Sequence, residues 1–238
     1  MKRSIIFFIC LVNSNAFIYP RQNTITMCNS RKKRVDDEFY DEFMEYEPKP
    51  PTVKQLFAPK SANQKQYYED IHNDDIKIVI ASGPAGTGKT LFPTQYAAKL
   101  LIETKQKIVL TRPLISVDEE LGYLPGNINQ KMDPWIIPIF DVLREFYSQK
   151  ELNALIAEKR VEIVPLAFMR GRTFKNTYII GDELQNTSNN QLLMLLTRLG
   201  ENSKMVITGD VNQCDNNENG LMDLLTKINR NYTDKEML

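Results

Sequence analysis

The stretch Gly83-Pro84-Ala85-Gly86-Thr87-Gly88-Lys89-Thr90 constrains this chain more than any other, because it fits the pattern G-x-x-x-x-G-K-[ST] in full. It follows a short apolar run of strand length, Ile76 to Ala81, and leads into a helical pattern from Lys89 to Glu103. That setting gives the pattern a physical meaning. Glycines let the backbone curl and approach an anion closely, so that successive amides point inward. The start of the helix adds partial positive charge. Lys89 is then expected to reach β and γ phosphates, and the Thr90 hydroxyl to ligate magnesium. The whole octapeptide from Gly83 to Thr90 is therefore predicted to hold ATP with Mg2+. A glycine-rich turn that matches by chance is the competing reading, and the flanking strand and helix oppose it.

The remaining pattern agrees with the fold that such a loop requires. Asn63 to Ile71 looks helical, and Lys107 to Thr111 (KIVLT) reads as a second buried strand. Val161 to Val164, Tyr178 to Ile180 and Met205 to Thr208 are three further strands, and Gln191 to Leu199 and Leu221 to Ile228 are helices. A long insertion, Arg112 to Lys159, carries Pro113, Pro125, Pro134 and Pro138 and then two helical stretches. Pro93 falls near the first turn of its helix, where a missing amide is tolerated. Strands that are apolar on both faces and alternate with helices predict an α/β fold with a mainly parallel sheet covered on both sides. An apolar fraction of 42% suffices for such a core.

A phosphate cradle of this kind needs an acidic residue at the end of another buried strand. Tyr178-Ile179-Ile180-Gly181-Asp182-Glu183 supplies a pair. Asp182 is expected to hold magnesium through its water shell, and Glu183 to polarise the attacking water. The strand Met205 to Thr208 runs into Gly209-Asp210-Val211-Asn212-Gln213, where Gln213 is the candidate to sense the γ phosphate. A simple turn is the alternative there. Gln64 stands just ahead of the first helix. Its amide can pair with both the donor and the acceptor edge of adenine, which would favour ATP over GTP, or it is a solvated residue at a helix start.

The 30 basic and 30 acidic residues cancel, so bulk charge gives no support for duplex DNA or an anionic membrane as partner. The one histidine, His72, excludes a multi-histidine metal centre, and Cys10, Cys28 and Cys214 show neither zinc spacing nor a disulfide framework. Residues 1–16 read as a secretory signal: Lys2 and Arg3, an apolar run from Ile5 to Val12, and Ser14 and Ala16 before a cleavage site. The apolar run is too short for a permanent membrane helix, and no membrane association is expected of the mature form. Residues 17–34 contain no acid but carry Arg21, Arg31, Lys32, Lys33 and Arg34, which is transit-peptide chemistry. The Ala16-Phe17 junction with Pro20 behind it resembles the bipartite plastid presequences of algae with secondary plastids. The plastid is the expected destination, with secretion or a misplaced start and a cytoplasmic location as alternatives. Residues 35–51 form an acidic spacer closed by Pro48, Pro50 and Pro51, and the folded domain is expected over 52–238.

Taken together these motifs resemble the PhoH family of P-loop ATPases and, more distantly, the first RecA-like domain of superfamily-one helicases. The resemblance is carried by Asn63-Gln64, the Gly83–Thr90 loop, Thr111-Arg112-Pro113, Leu121 to Gly126 (LGYLPG) and Lys131 to Pro134 (KMDP). Pro165 to Thr173, Asp182 to Asn186, Leu196 to Gly200, Gly209-Asp210-x-x-Gln213 and Asn219-Gly220-Leu221 complete it. It implies a three-layer RecA-like P-loop fold, ATP hydrolysis, and a link to RNA metabolism or the phosphate-stress response. By the helicase analogy Thr111-Arg112 would touch a nucleic-acid backbone, with single-stranded RNA or another nucleic acid as the partner, and the sequence does not name which polymer. Arg170, Arg172 and Arg198 are candidates for γ-phosphate or neighbouring-subunit contacts. Arg172 is the expected catalytic arginine, supplied across a ring of identical subunits.

Two departures from the family pattern carry expectations of their own. Gly181 replaces the aliphatic residue usual before the acidic pair and is expected to loosen the strand end. The sequence stops at Leu238 without the further strand and Asp-x-x-Arg segment of the family, so an incomplete sheet and impaired activity are expected, and the second helicase domain is missing. Three functions compete. An ATPase that acts on a polymer leads. A small-molecule kinase shares the loop but has no use for a water-activating Glu183. A nucleotide-gated binding module needs Lys89 and not Glu183.

Overall fold

The computed structural model describes residues 7–11, 57–113, 128–214 and 219–236. The transit segment, the acidic spacer, most of the leader and the LGYLPG motif lie outside the described residues.

The strands are β1 (Phe7–Leu11), β2 (Ile78–Ser82), β3 (Lys107–Thr111), β4 (Val161–Ile163), β5 (Thr177–Gly181) and β6 (Lys204–Gly209). They form one sheet in the order β1-β2-β6-β5-β3-β4, with every neighbouring pair parallel. β1 runs along the outer edge of β2, from Phe7 opposite Ile78 to Leu11 opposite Ser82. Those residues fall in the segment read as a removable leader, and the five strands β2 to β6 make a continuous all-parallel sheet without them. The helices are α1 (Ala62–His72), α2 (Leu91–Glu103), α3 (Ile128–Arg144), α4 (Gln149–Ala157), α5 (Asn189–Leu196) and α6 (Gly220–Glu236).

Alternation along the strands explains the three layers. Val79 and Ala81 of β2, Tyr178 and Ile180 of β5 and Val206 of β6 point into one core, shared with α1 to α4. Ile78 and Ile80, Ile179, and Met205 and Ile207 point into a second core on the opposite face, shared with α5 and α6. Each strand thus buries both faces, and that is why β2, β5 and β6 read as unbroken apolar runs. The chain has the α/β, three-layer architecture of a RecA-like P-loop domain.

One difference concerns the insertion. α3 begins ahead of Pro134 and Pro138 and runs through both, rather than following them. The two prolines are four residues apart, so the lost main-chain donors fall on one face of the helix. The same helix buries Ile136, Ile139 and Leu143 against the core shared with α2, and that burial outweighs the missing bonds.

Candidate nucleotide-binding site

The loop from Gly83 to Thr90 crosses the carboxyl end of the sheet between β2 and α2. Its start is fixed by the Gly83 amide, which donates to the Gly209 carbonyl at 3.2 Å. Gly86 and Gly88 have φ of +76° and +88°, the left-handed region in which a side chain is strained. At Gly88 an added Cβ would also come within 2.8 Å of the Phe92 ring. The Thr87 hydroxyl donates to the Pro84 carbonyl at 2.8 Å and closes the curl.

α1 braces this loop from one side. Its Tyr67 hydroxyl donates to the Lys89 carbonyl at 2.7 Å, and the Gln64 amide nitrogen donates to the Thr87 carbonyl at 3.1 Å. The Gln64 oxygen accepts the main-chain amides of Lys60 and Ser61, completing a capping box in which the Ser61 hydroxyl accepts the Gln64 amide. Both ends of the side-chain amide are thus taken by protein. Gln64 stands here as a cap and loop brace, with its amide nitrogen on Thr87 and its oxygen on the amides of Lys60 and Ser61. The motif suggested a nucleobase contact because an amide offers the same two bonds to adenine as to backbone.

Lys89 is only 8% exposed. Its ammonium donates to the carbonyls of Gly83 at 2.5 Å and Pro84 at 2.7 Å, folding back on its own loop. Burial pulls its pKa down, while the carboxylates of Glu183, Asp210 and Asp182 push it up. The carboxylates that follow β5 and β6 thus act on this cation electrostatically, while its hydrogen bonds go to its own loop.

Asp182 is the centre of that group. A single oxygen, Oδ1, accepts the Thr90 hydroxyl at 2.8 Å and the Thr208 hydroxyl at 2.5 Å. The Asp182 main-chain amide donates to the Thr111 carbonyl at 2.9 Å, which locks the tip of β5 to that of β3. Hydroxyl and carboxylate oxygens in one place are the hard donor set that magnesium takes, so Thr90 and Asp182 fit the ion predicted for them. Thr208 was not singled out in the sequence. Its only signal there is its position as the last polar residue of an apolar strand that ends in Gly-Asp. The Thr111 hydroxyl is buried and has no hydrogen-bond partner among the described residues.

Glu183 follows with φ +56°, a left-handed conformation that costs a non-glycine residue about 1–3 kcal/mol. Its carboxylate accepts the Gln185 side-chain amide at 2.6 Å. After β6 the chain makes the turn that was the alternative reading, with the Gln213 amide on the Asp210 carbonyl at 3.0 Å. The Gln213 side chain is exposed on that turn. Gly181 does not loosen the strand. It pairs in register with Thr111 and Ile207, and a side chain there would come within 2.8 Å of Leu184, whose own side chain fills the space.

The arginines are not gathered here. Arg172 pairs with Glu162 at 2.7 Å and lies 4.6 Å over the Phe174 ring. Arg198 donates to the carbonyls of Met194 and Arg172. These contacts join Arg172 and Arg198 to each other and not to the Gly83–Thr90 loop, and Arg170 is exposed.

A family model described as PhoH-like protein matches residues 56–237. The chain belongs to the PhoH-like family. A PhoH-like protein of Synechocystis sp. is 43% identical over 162 residues, which cover 68% of this chain and 49% of the relative. A PhoH-like protein of Bacillus subtilis is 39% identical over 184 residues, covering 77% of this chain and 57% of the relative. Protein PhoH of Escherichia coli is 42% identical over 142 residues, covering 58% and 40% respectively. The PhoH-like chain thus spans about half the length of the relatives it matches. None of its described helices is long and apolar enough to cross a membrane.

Proposed function

We propose that this PhoH-like chain binds ATP with magnesium and hydrolyses it. The observation that carries the reading is the meeting of Thr90 and Asp182 at 2.8 Å, from positions 92 residues apart, next to a buried Lys89. In the proposed reaction Lys89 turns its ammonium from the Gly83 and Pro84 carbonyls to the β and γ phosphates. Thr90 and Asp182 hold Mg2+, which when bound neutralises charge on the phosphate oxygens. Glu183 orients the attacking water and takes its proton as the water oxygen bonds to the γ phosphorus and the bond to ADP breaks.

Coupling to single-stranded RNA belongs to the same proposal. It is supported by the likeness to superfamily-one helicases and by Thr111-Arg112 at the tip of β3, whose Thr111 carbonyl holds Asp182. A homo-oligomeric ring is supported by exposed arginines outside the chain's own loop, Arg172 being the one presented to a neighbour. Import into a plastid is supported by the leader chemistry, and a phosphate-stress role by the family resemblance alone. A second reading is a nucleotide-gated module with little turnover, which needs Lys89 and not Glu183.

Turnover of ATP with and without magnesium and single-stranded RNA separates the two. Under the leading reading Glu183→Gln binds ATP with near-parental affinity and loses about 100- to 10,000-fold in rate. A parent chain that binds ATP without hydrolysing it selects the second reading. Mixing Arg172→Ala with Glu183→Gln restores part of the activity if Arg172 acts across a subunit boundary, and no recovery rejects the ring.

A further inference from the structure

Gln185 is buried to 2% exposure in the short 3-10 turn Leu184–Asn186 that follows the acidic pair. Its side chain bridges two strand tips. The amide nitrogen donates to the Glu183 carboxylate at 2.6 Å and to the Gln213 carbonyl at 3.4 Å. The amide oxygen accepts the main-chain amide of Asp210 at 3.1 Å. Both donors and the acceptor are used, so the burial of this polar group is compensated. The tip of β6 also leaves room for it, since a Cβ at Gly209 would lie 2.8 Å from the Gln185 side-chain oxygen. A purely packing role would be met as well by an apolar side chain, with no amide to desolvate.

We propose that Gln185 is a positioning residue that holds the Glu183 carboxylate and ties it to the Asp210–Gln213 turn, so that carboxylate and turn are set together. The inference rests on the reading of Glu183 as the group that orients water. A shift of the Asp210–Gln213 turn would then reach the carboxylate through one shared amide. Misplacement of a catalytic group by about 1 Å costs on the order of 100-fold in rate, so a short bond at 2.6 Å is a direct means of control.

An ionised glutamate at this position keeps an oxygen for the Asp210 amide and loses both donations, to the Glu183 carboxylate and to the Gln213 carbonyl. In the 238-residue chain, Gln185→Glu should bind a non-hydrolysable ATP analogue within about threefold of the parent and lose about 10- to 100-fold in turnover. Hydrogen exchange of the Asp210 amide, measured without nucleotide, should stay near the parental rate in Gln185→Glu, which keeps its acceptor, and rise in Gln185→Ala. Adding Gln185→Ala to Glu183→Gln should cost less than about twofold more, because the residue being positioned is already gone. Parental turnover in Gln185→Glu overturns the inference and leaves Glu183 as proposed. Fully additive losses also overturn it, marking Gln185 as a packing residue. Parental turnover in Glu183→Gln overturns the inference together with the reading on which it rests.

Discussion

Lys89 and Lys204 sit at opposite ends of the parallel sheet and look alike by burial and bonding. Each is 8% exposed, each donates to two backbone carbonyls, and burial lowers the pKa of each. Their acceptors differ. Lys204 reaches the carbonyls of Asp70 and Asn73, more than 130 positions away, at 2.8 and 2.7 Å, and so caps the end of α1 and ties it to β6. Lys89 reaches only carbonyls five and six residues back in its own glycine-rich loop, while the charges of Glu183, Asp210 and Asp182 favour its cationic form. A cap between elements cannot be exchanged for a ligand without parting α1 from the sheet. A bond within one loop can. Burial of a lysine therefore marks neither a site nor a strut, and the origin of its acceptors distinguishes them.

Two variants test that distinction, and the largest effect is expected at the loop. Lys89→Ala should weaken ATP binding by about 30-fold or more, the cost of removing one partner of a buried charge contact, about 2–5 kcal/mol. Its melting temperature should stay near the parental value, and nucleotide affinity by calorimetry together with a thermal melt checks both. A large loss of stability would place Lys89 with Lys204 as a strut. Lys204→Met should do the reverse. ATP affinity should hold within about threefold, while the uncovered α1 carbonyls cost about 1–3 kcal/mol, several degrees in a thermal melt. Loss of nucleotide binding in that variant would break the comparison.

The smallest effect is a pH slope. Burial brings the Lys204 pKa down to about 8, while Asp74 and Asp70 oppose the shift and Lys77 adds to it. Between that value and the ordinary 10.5 the unfolded chain binds the proton and the folded chain does not. The stability contribution of this residue therefore rises as pH climbs through that window and is least favourable below it. Unfolding by urea at pH 7.5 and 9.5 should show the gain in the parent and not in Lys204→Met. Equal slopes in the two proteins would show that Lys204 is charged throughout.

The parallel sheet, the phosphate loop and the Asp182-Glu183 pair were legible in the sequence because each rests on neighbours in the chain. Apolar runs of strand length stand beside glycines that permit positive φ, and an acidic pair closes a strand. These are local rules, and Lys107–Thr111 has the same limits in the sequence pattern as in the fold. The passage of α3 through Pro134 and Pro138 was not legible, since the rule for proline is local and the burial that overrides it is not. Nor was the brace made by Gln64, whose amide bonds a loop 23 residues away.

What the sequence by itself determined is which residue types are available at the sheet's carboxyl end. Which of them meet was decided by the strand order. Placing β6 between β2 and β5 brings Thr208 and Thr90 onto one oxygen of Asp182, and sets Gln185 between Glu183 and the turn after β6. The same order carries Lys204 to the end of α1. Spacing along a chain cannot encode these meetings, because parallel neighbours are joined through crossovers whose length does not fix who lies beside whom. That order is held by the two cores that bury both strand faces, and the hydrogen bonds at the strand tips follow from it.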